Sequence, residues 1–112
     1  MENNNRRVVI TGMGIWSCLG TTLDEVKESL FNGKSGIIFS PERKEMGFES
    51  GLTASVKKPE LKGLVDRAHR VFMPEEAQYA YMSTVDALKM ARLDEDYIEK
   101  HDIGLLFGND SS

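Results

Sequence analysis

Val8, Val9 and Ile10 follow two arginines and run directly into Thr11-Gly12-Met13-Gly14. Three consecutive β-branched residues with no polar alternation leave no face for solvent. The run is therefore expected to be a short strand covered on both sides, as in a parallel sheet, with the glycines forming its exit turn. Such a strand needs a partner. Ile103, Leu105, Leu106 and Phe107 supply the second buried-strand candidate.

Between these runs the periodicity is helical. Thr22 and Glu25 have the spacing of a capping box, in which the Thr side chain takes an orphan amide and the Glu reaches back. Leu23, Val26 and Leu30 then repeat on one face, and Gly33 offers a left-handed stop, so a helix is expected over residues 23–32. Pro74 suits a first helical position because it has no amide to leave unpaired, and Glu75 and Glu76 complement the positive end of the dipole. The second helix that starts there places Ala77, Ala80, Tyr81, Thr84, Leu88 and Ala91 on one face, mostly small, which permits close approach by a neighbour. Asp94 to Ile98 reads as a turn or one extra helical turn.

Residues 35–73 separate the two helices as a long excursion. Gly36, Gly47, Gly51, Pro41 and Pro59 break up its first part, up to Glu60, and no 3.6-residue period persists beyond one turn. A loop of that length inside a small domain is expected to be functional or packed against further protein. The resulting order is strand, helix, long insert, helix, strand, an α/β pattern in the outline of a right-handed crossover. Two strands alone would leave apolar sheet edges exposed.

The 112 residues, 40% hydrophobic and 29% charged, suit one folded domain and not a disordered or membrane-spanning chain. Met1-Glu2-Asn3-Asn4-Asn5 lacks the apolar stretch of a secretory signal, which makes the cytoplasm the expected location. One cysteine and two separate histidines form no spaced metal-ligand set. The net charge of -4 argues against nucleic acid, which requires clustered cations. The charge is uneven, however: residues 57–70 hold five cations against two acids, net +3, leaving -7 for the rest. That stretch is suited to an acidic partner.

Two motifs invite catalytic readings. Gly12-x-Gly14 lies between a strand and a helix, as in a dinucleotide fingerprint, but the third glycine is missing and the helix waits until Thr22. A glycine-rich strand exit is the better account. Cys18 precedes a helix N-terminus, where a thiolate would be stabilised. Nucleophilic catalysis also needs a positioned base, and neither His69 nor His101 has a context that brings it there, so a small buried thiol is expected. Phe72, Met73, Tyr79 and Tyr81 are expected in a core or interface, and Trp16 near the turn with its indole N–H on a backbone acceptor.

Arg6 to Gly20 resembles the opening of the β-ketoacyl-acyl carrier protein synthases, nearest to their type I/II group. The resemblance continues through Gly33-Lys34-Ser35-Gly36-Ile37, Gly63-Leu64-Val65-Asp66-Arg67, Phe72-Met73, Tyr79 to Leu93 and Asp102 to Gly108. It implies the first part of a thiolase-like fold from a homodimeric, cofactor-free acyltransferase that carries out decarboxylative Claisen condensation with malonyl-carrier protein. The family's catalytic cysteine, two histidines and lysine would all lie beyond Ser112, and His69 and His101 do not match them. The chain alone is then expected to be an inactive N-terminal piece.

The resemblance also implies a docking patch for the acidic acyl carrier protein, following the Gly-Leu-Val-Asp segment. Arg67 occupies its first basic position. Ala68 stands where a lysine is usual, and Arg70 falls one place early, with Val71 in the expected slot. Lys62 joins Arg67 and Arg70 as a candidate, with Lys57 and Lys58 adding charge. The alternatives are a stand-alone module that binds an acidic carrier and a dinucleotide-binding piece.

Overall fold

In the computed structural model, which describes residues 5–110, the first helix begins where the capping residues place it. Helix α1 spans Leu23–Phe31. Thr22 Oγ1 accepts from the Glu25 amide at 3.2 Å. The Glu25 carboxylate returns one residue further back than in the standard box, to the Thr21 amide at 2.8 Å and the Thr21 hydroxyl at 3.3 Å. Val26 and Ser29 are the buried positions, and the Ser29 hydroxyl donates to the Leu19 carbonyl at 2.8 Å. This bond ties the helix to the turn that feeds it. Gly33, at φ 63°, ends α1 in the left-handed region, where a Cβ would be strained.

The excursion contains more regular structure than its broken pattern suggests. Strands β1 (Ile37–Phe39) and β2 (Leu52–Ala54) pair antiparallel in the register Ile37 with Ala54, Ile38 with Thr53 and Phe39 with Leu52. Their connection carries the short helix α2 (Pro41–Glu45), and Ser40 donates to the Gly51 carbonyl at 2.7 Å to close the hairpin. Inside the connection the Arg43 guanidinium lies 4.3 Å from the Phe48 ring centroid, and the Lys44 ammonium donates to the Glu49 carbonyl. Glycines and prolines here are turn chemistry, and strands of three residues are too short to show a period between them.

After the one-turn helix α3 (Arg67–Arg70), helix α4 runs over Glu75–Ala91 with Pro74 as its N-cap, so it starts one residue later than expected. It ends on Arg92 at φ 58°, a left-handed position without a glycine. Helix α5 (Glu95–Lys100) is the extra turn anticipated after it, capped by Asp94, whose carboxylate accepts from the Tyr97 amide at 2.9 Å.

A close approach to α4 does occur, but along another stripe than expected: of the residues expected to form it Ala91 alone takes part, and the partner is backbone. Gly12 and Gly14 lie directly on the helix. A Cβ at Gly12 would overlap the Ala87 carbonyl oxygen and come within 2.8 Å of the Ala91 amide nitrogen, and one at Gly14 would overlap the Ser83 carbonyl. Ser83, Ala87 and Ala91 recur every four residues, making one groove into which the Gly-x-Gly backbone fits.

The two expected strands are the main correction. Neither residues 8–10 nor residues 103–107 join a ladder, and the two-stranded sheet among the described residues is antiparallel and lies within the excursion. Val8 is 94% and Leu106 97% exposed. The strand-helix-insert-helix-strand order and its parallel crossover are therefore absent, and the observed order is α1, β1, α2, β2, α3, α4, α5, a small α/β piece. The physical reason is the one the sequence raises: a strand covered on both faces needs neighbours on both sides, and these runs find none. Leu30, expected on the buried face of α1, is also exposed, as is Phe31 beside it.

The interior is correspondingly thin. Val26, Pro59 and Leu61 are the buried apolar side chains among the described residues. The accessible surface is 9885 Å², where a folded monomer of this mass exposes about 6,200 Å². The radius of gyration is 18.4 Å, against about 13 Å for a compact chain of this length.

Candidate functional site

The basic stretch is built on a local turn. Leu61, buried, accepts from the amides of Leu64 at 3.1 Å and Val65 at 3.0 Å, and Gly63 takes φ 88° to close the loop. Lys62 is thereby placed at an exposed corner, between buried Pro59 and Leu61 on one side and α3 on the other. The Tyr81 hydroxyl reaches the Leu64 carbonyl at 3.5 Å and joins the turn to α4.

Asp66 fixes the start of α3. One carboxylate oxygen accepts from the His69 amide at 3.0 Å, and the other meets His69 Nδ1 at 2.7 Å. The His69 amide, then its ring, hold the Asp66 carboxyl below its usual range. Arg67 projects into solvent from the helix so formed, and Arg70 turns partly inward. Its guanidinium Nε is buried without a hydrogen-bond partner, beside a cavity of about 410 Å³ lined by Lys58, Pro59, Glu60, Leu61 and Gln78.

The three cations singled out from sequence thus lie along one short segment but are presented differently. Lys62 and Arg67 are open, whereas Arg70 is recessed. Lys58 and Gln78 belong with Arg70. Lys58 was noted in the sequence only as background charge. Gln78 had no signal, because it comes from the first turns of α4 and reaches the segment through folding.

The two catalytic readings fail on geometry. The backbone of residues 12–14 is pressed against α4, with the Met13 amide 3.4 Å from Met90 Sδ, so it cannot cradle a pyrophosphate. Cys18 lines a cavity of about 350 Å³ with Ser17, Glu25, Lys34 and Lys57, and no histidine borders it. His69 is held by Asp66, and His101 stacks on Tyr97 at 3.9 Å with Nδ1 2.8 Å from the Tyr97 carbonyl. Cys18 instead packs on Gly36, where a Cβ would come within 2.8 Å of the cysteine carbonyl oxygen. Trp16 donates its indole N–H to the Lys57 carbonyl at 2.5 Å, the backbone acceptor expected for it.

Comparison with known proteins places these features in a family. Residues 5–112 match the model of the beta-ketoacyl synthase N-terminal domain. Among similar curated proteins, 3-oxoacyl-[acyl-carrier-protein] synthase 1 of Escherichia coli is 40% identical over 105 residues, covering 93% of this chain and 26% of that protein. The Haemophilus influenzae synthase 1 is 41% identical over 103 residues, covering 92% and 25%. That of Buchnera aphidicola from Acyrthosiphon pisum is 36% identical over 108 residues, covering 96% and 26%. The chain thus spans about a quarter of the length of these relatives. With the family model matched along nearly its whole length, the chain belongs to the beta-ketoacyl synthase N-terminal domain family.

Proposed function

We propose that this chain is the N-terminal portion of a β-ketoacyl-acyl carrier protein synthase with a thiolase-like fold, residues 35–73 forming an excursion on it. The enzyme would act as a cytoplasmic homodimer without a cofactor, condensing an acyl group with malonyl-carrier protein in fatty acid or related synthesis. In that reaction an enzyme cysteine holds the acyl group as a thioester. Loss of carbon dioxide from the malonyl group supplies the carbanion that attacks this carbonyl, and the cysteine thiolate leaves.

None of the described residues is arranged for those steps. The cysteine, the two histidines and the lysine of the chemistry are therefore assigned outside residues 1–112, and the chain alone to no condensing activity. Its own contribution is recognition: Lys62, Arg67 and Arg70 form a basic face for the acidic acyl carrier protein. The observation that carries this reading is the Asp66-capped α3, which sets Arg67 in solvent next to Lys62 within a segment of net charge +3 in an otherwise acidic chain. Charge complementarity of this kind accelerates encounter and sets orientation.

The test is a condensation assay on the full-length polypeptide with malonyl-carrier protein. Arg67→Glu is expected to raise KM for the carrier about tenfold while leaving kcat near wild type, since it opposes docking and touches no reacting atom. Equal KM values for the two proteins would remove the docking assignment, and absence of any two-carbon extension would remove the synthase assignment.

A further inference from the structure

Met13, Met46 and Met90 are the exposed methionines among the described residues, at 50%, 75% and 53%. Of these, Met90 carries a structural contact at its sulfur, which accepts from the Met13 amide at 3.4 Å. The bond crosses from the Gly12-x-Gly14 backbone to the last turn of α4, next to Ala91, and so belongs to the junction in which the two glycines lie on the helix. A cavity of about 300 Å³ opens beside it, walled by Ile15 and by Asp24 and Asp86 of α1 and α4. Water and solutes as small as a peroxide therefore reach the sulfur. Met73 and Met82 are half-buried by comparison.

We propose that Met90 is a redox-sensitive modification site: a peroxide oxidises its thioether to the sulfoxide, and this loosens the Gly12-x-Gly14 segment from α4. The Met13 N–H covers one lone pair of the sulfur and leaves the other open to the cavity. That open pair attacks a peroxide oxygen. An S–O bond forms as the O–O bond breaks, and the departing hydroxide takes the proton of the transferred oxygen and leaves as water. The sulfur is oxidised and the peroxide reduced. The new oxygen then points away from the amide, and the sulfur, now partly positive, faces the N–H as a repulsive neighbour instead of an acceptor. The side chain has also become polar and chiral, and sulfoxide reductases can reverse the change. A thioether is a weak acceptor, so the effect is local: the segment loosens at Met13 while α4 itself stays formed.

The experiment treats the full-length polypeptide with dilute hydrogen peroxide, maps sulfoxide at each methionine by peptide mass spectrometry, and follows hydrogen exchange at the Met13 amide. Neither readout needs carrier or condensing activity, so the result is separate from the synthase reading. Met46 and Met90 are expected to oxidise ahead of Met73 and Met82. Exchange at Met13 should rise about threefold in step with Met90 oxidation and return after treatment with sulfoxide reductases. Met90→Leu keeps the volume and removes the acceptor, so its Met13 amide should exchange fast from the start and be unmoved by peroxide, although Met13 itself still oxidises. Met46→Leu should respond as wild type does. Met90 that stays reduced while Met46 oxidises would overturn the proposal. So would complete Met90 oxidation with Met13 exchange unchanged, or an equal peroxide response in Met90→Leu.

Discussion

At the residue scale the account turns on a few side chains that hold backbone in place. Thr22 caps α1, and Thr22→Ala is expected to lower stability by about 1 kcal/mol in denaturant titration. Glu25 completes that cap, and the hydrogen bond from the Thr21 amide holds its carboxyl below the ordinary value of 4.5. A carboxyl depressed by folding adds stability that is fully present above its unfolded pKa and is lost as pH falls through the folded one. Wild-type stability should therefore decline below about pH 4.5, and Glu25→Gln should flatten that decline. An unchanged slope in the variant would show that the carboxylate contact is not formed in solution. Asp66 follows the same sign, so acid should loosen α3 as well. The capping residues and the indole partner of Trp16 were legible in the sequence because both are local rules about donors that need acceptors. The recessed Arg70 was not, because its burial depends on residues 58–61 and on Gln78 of α4.

At the scale of elements, the tightest contact is the Gly12-x-Gly14 backbone on the Ser83, Ala87, Ala91 groove of α4. The obstructing atoms are helix carbonyls and amides, which cannot rotate away as a flexible side chain can. Gly12→Ala and Gly14→Ala should each destabilise by about 1–3 kcal/mol or more, whereas Gly104→Ala, with nothing near its Cβ, should be nearly silent in the same thermal melts. Equal effects at the three glycines would contradict the packing. The left-handed Arg92 gives the opposite sign: Arg92→Gly removes strain at the end of α4 and should stabilise by about 1 kcal/mol. Both main helices were readable from capping and periodicity, to within one residue at most ends. The β1–β2 hairpin was not, since three-residue strands carry too little alternation to stand out from turn residues. The two runs that read most clearly as strands, residues 8–10 and 103–107, form no ladder. Their sequence specifies burial, and burial is a property of neighbours.

At the scale of the whole molecule, the surface of 9885 Å² exceeds that of a compact monomer of this mass by roughly 3,700 Å². An excess of that size is comparable to an obligate interface. Val8, Ile10, Phe31, Phe72 and Leu106 all lie in it, each more than four-fifths exposed. Apolar area of this extent is stable in water only when covered, which agrees with a family whose members are about four times as long as the matched chain. Residues 1–112 produced alone should bind a hydrophobic dye, self-associate and melt without a cooperative transition. The most direct measurement is intact mass with light scattering on natively purified protein. The account predicts that these residues occur in a particle well above 12.6 kDa, as part of a longer polypeptide with synthase activity. A monodisperse species of 12.6 kDa that melts cooperatively would contradict it.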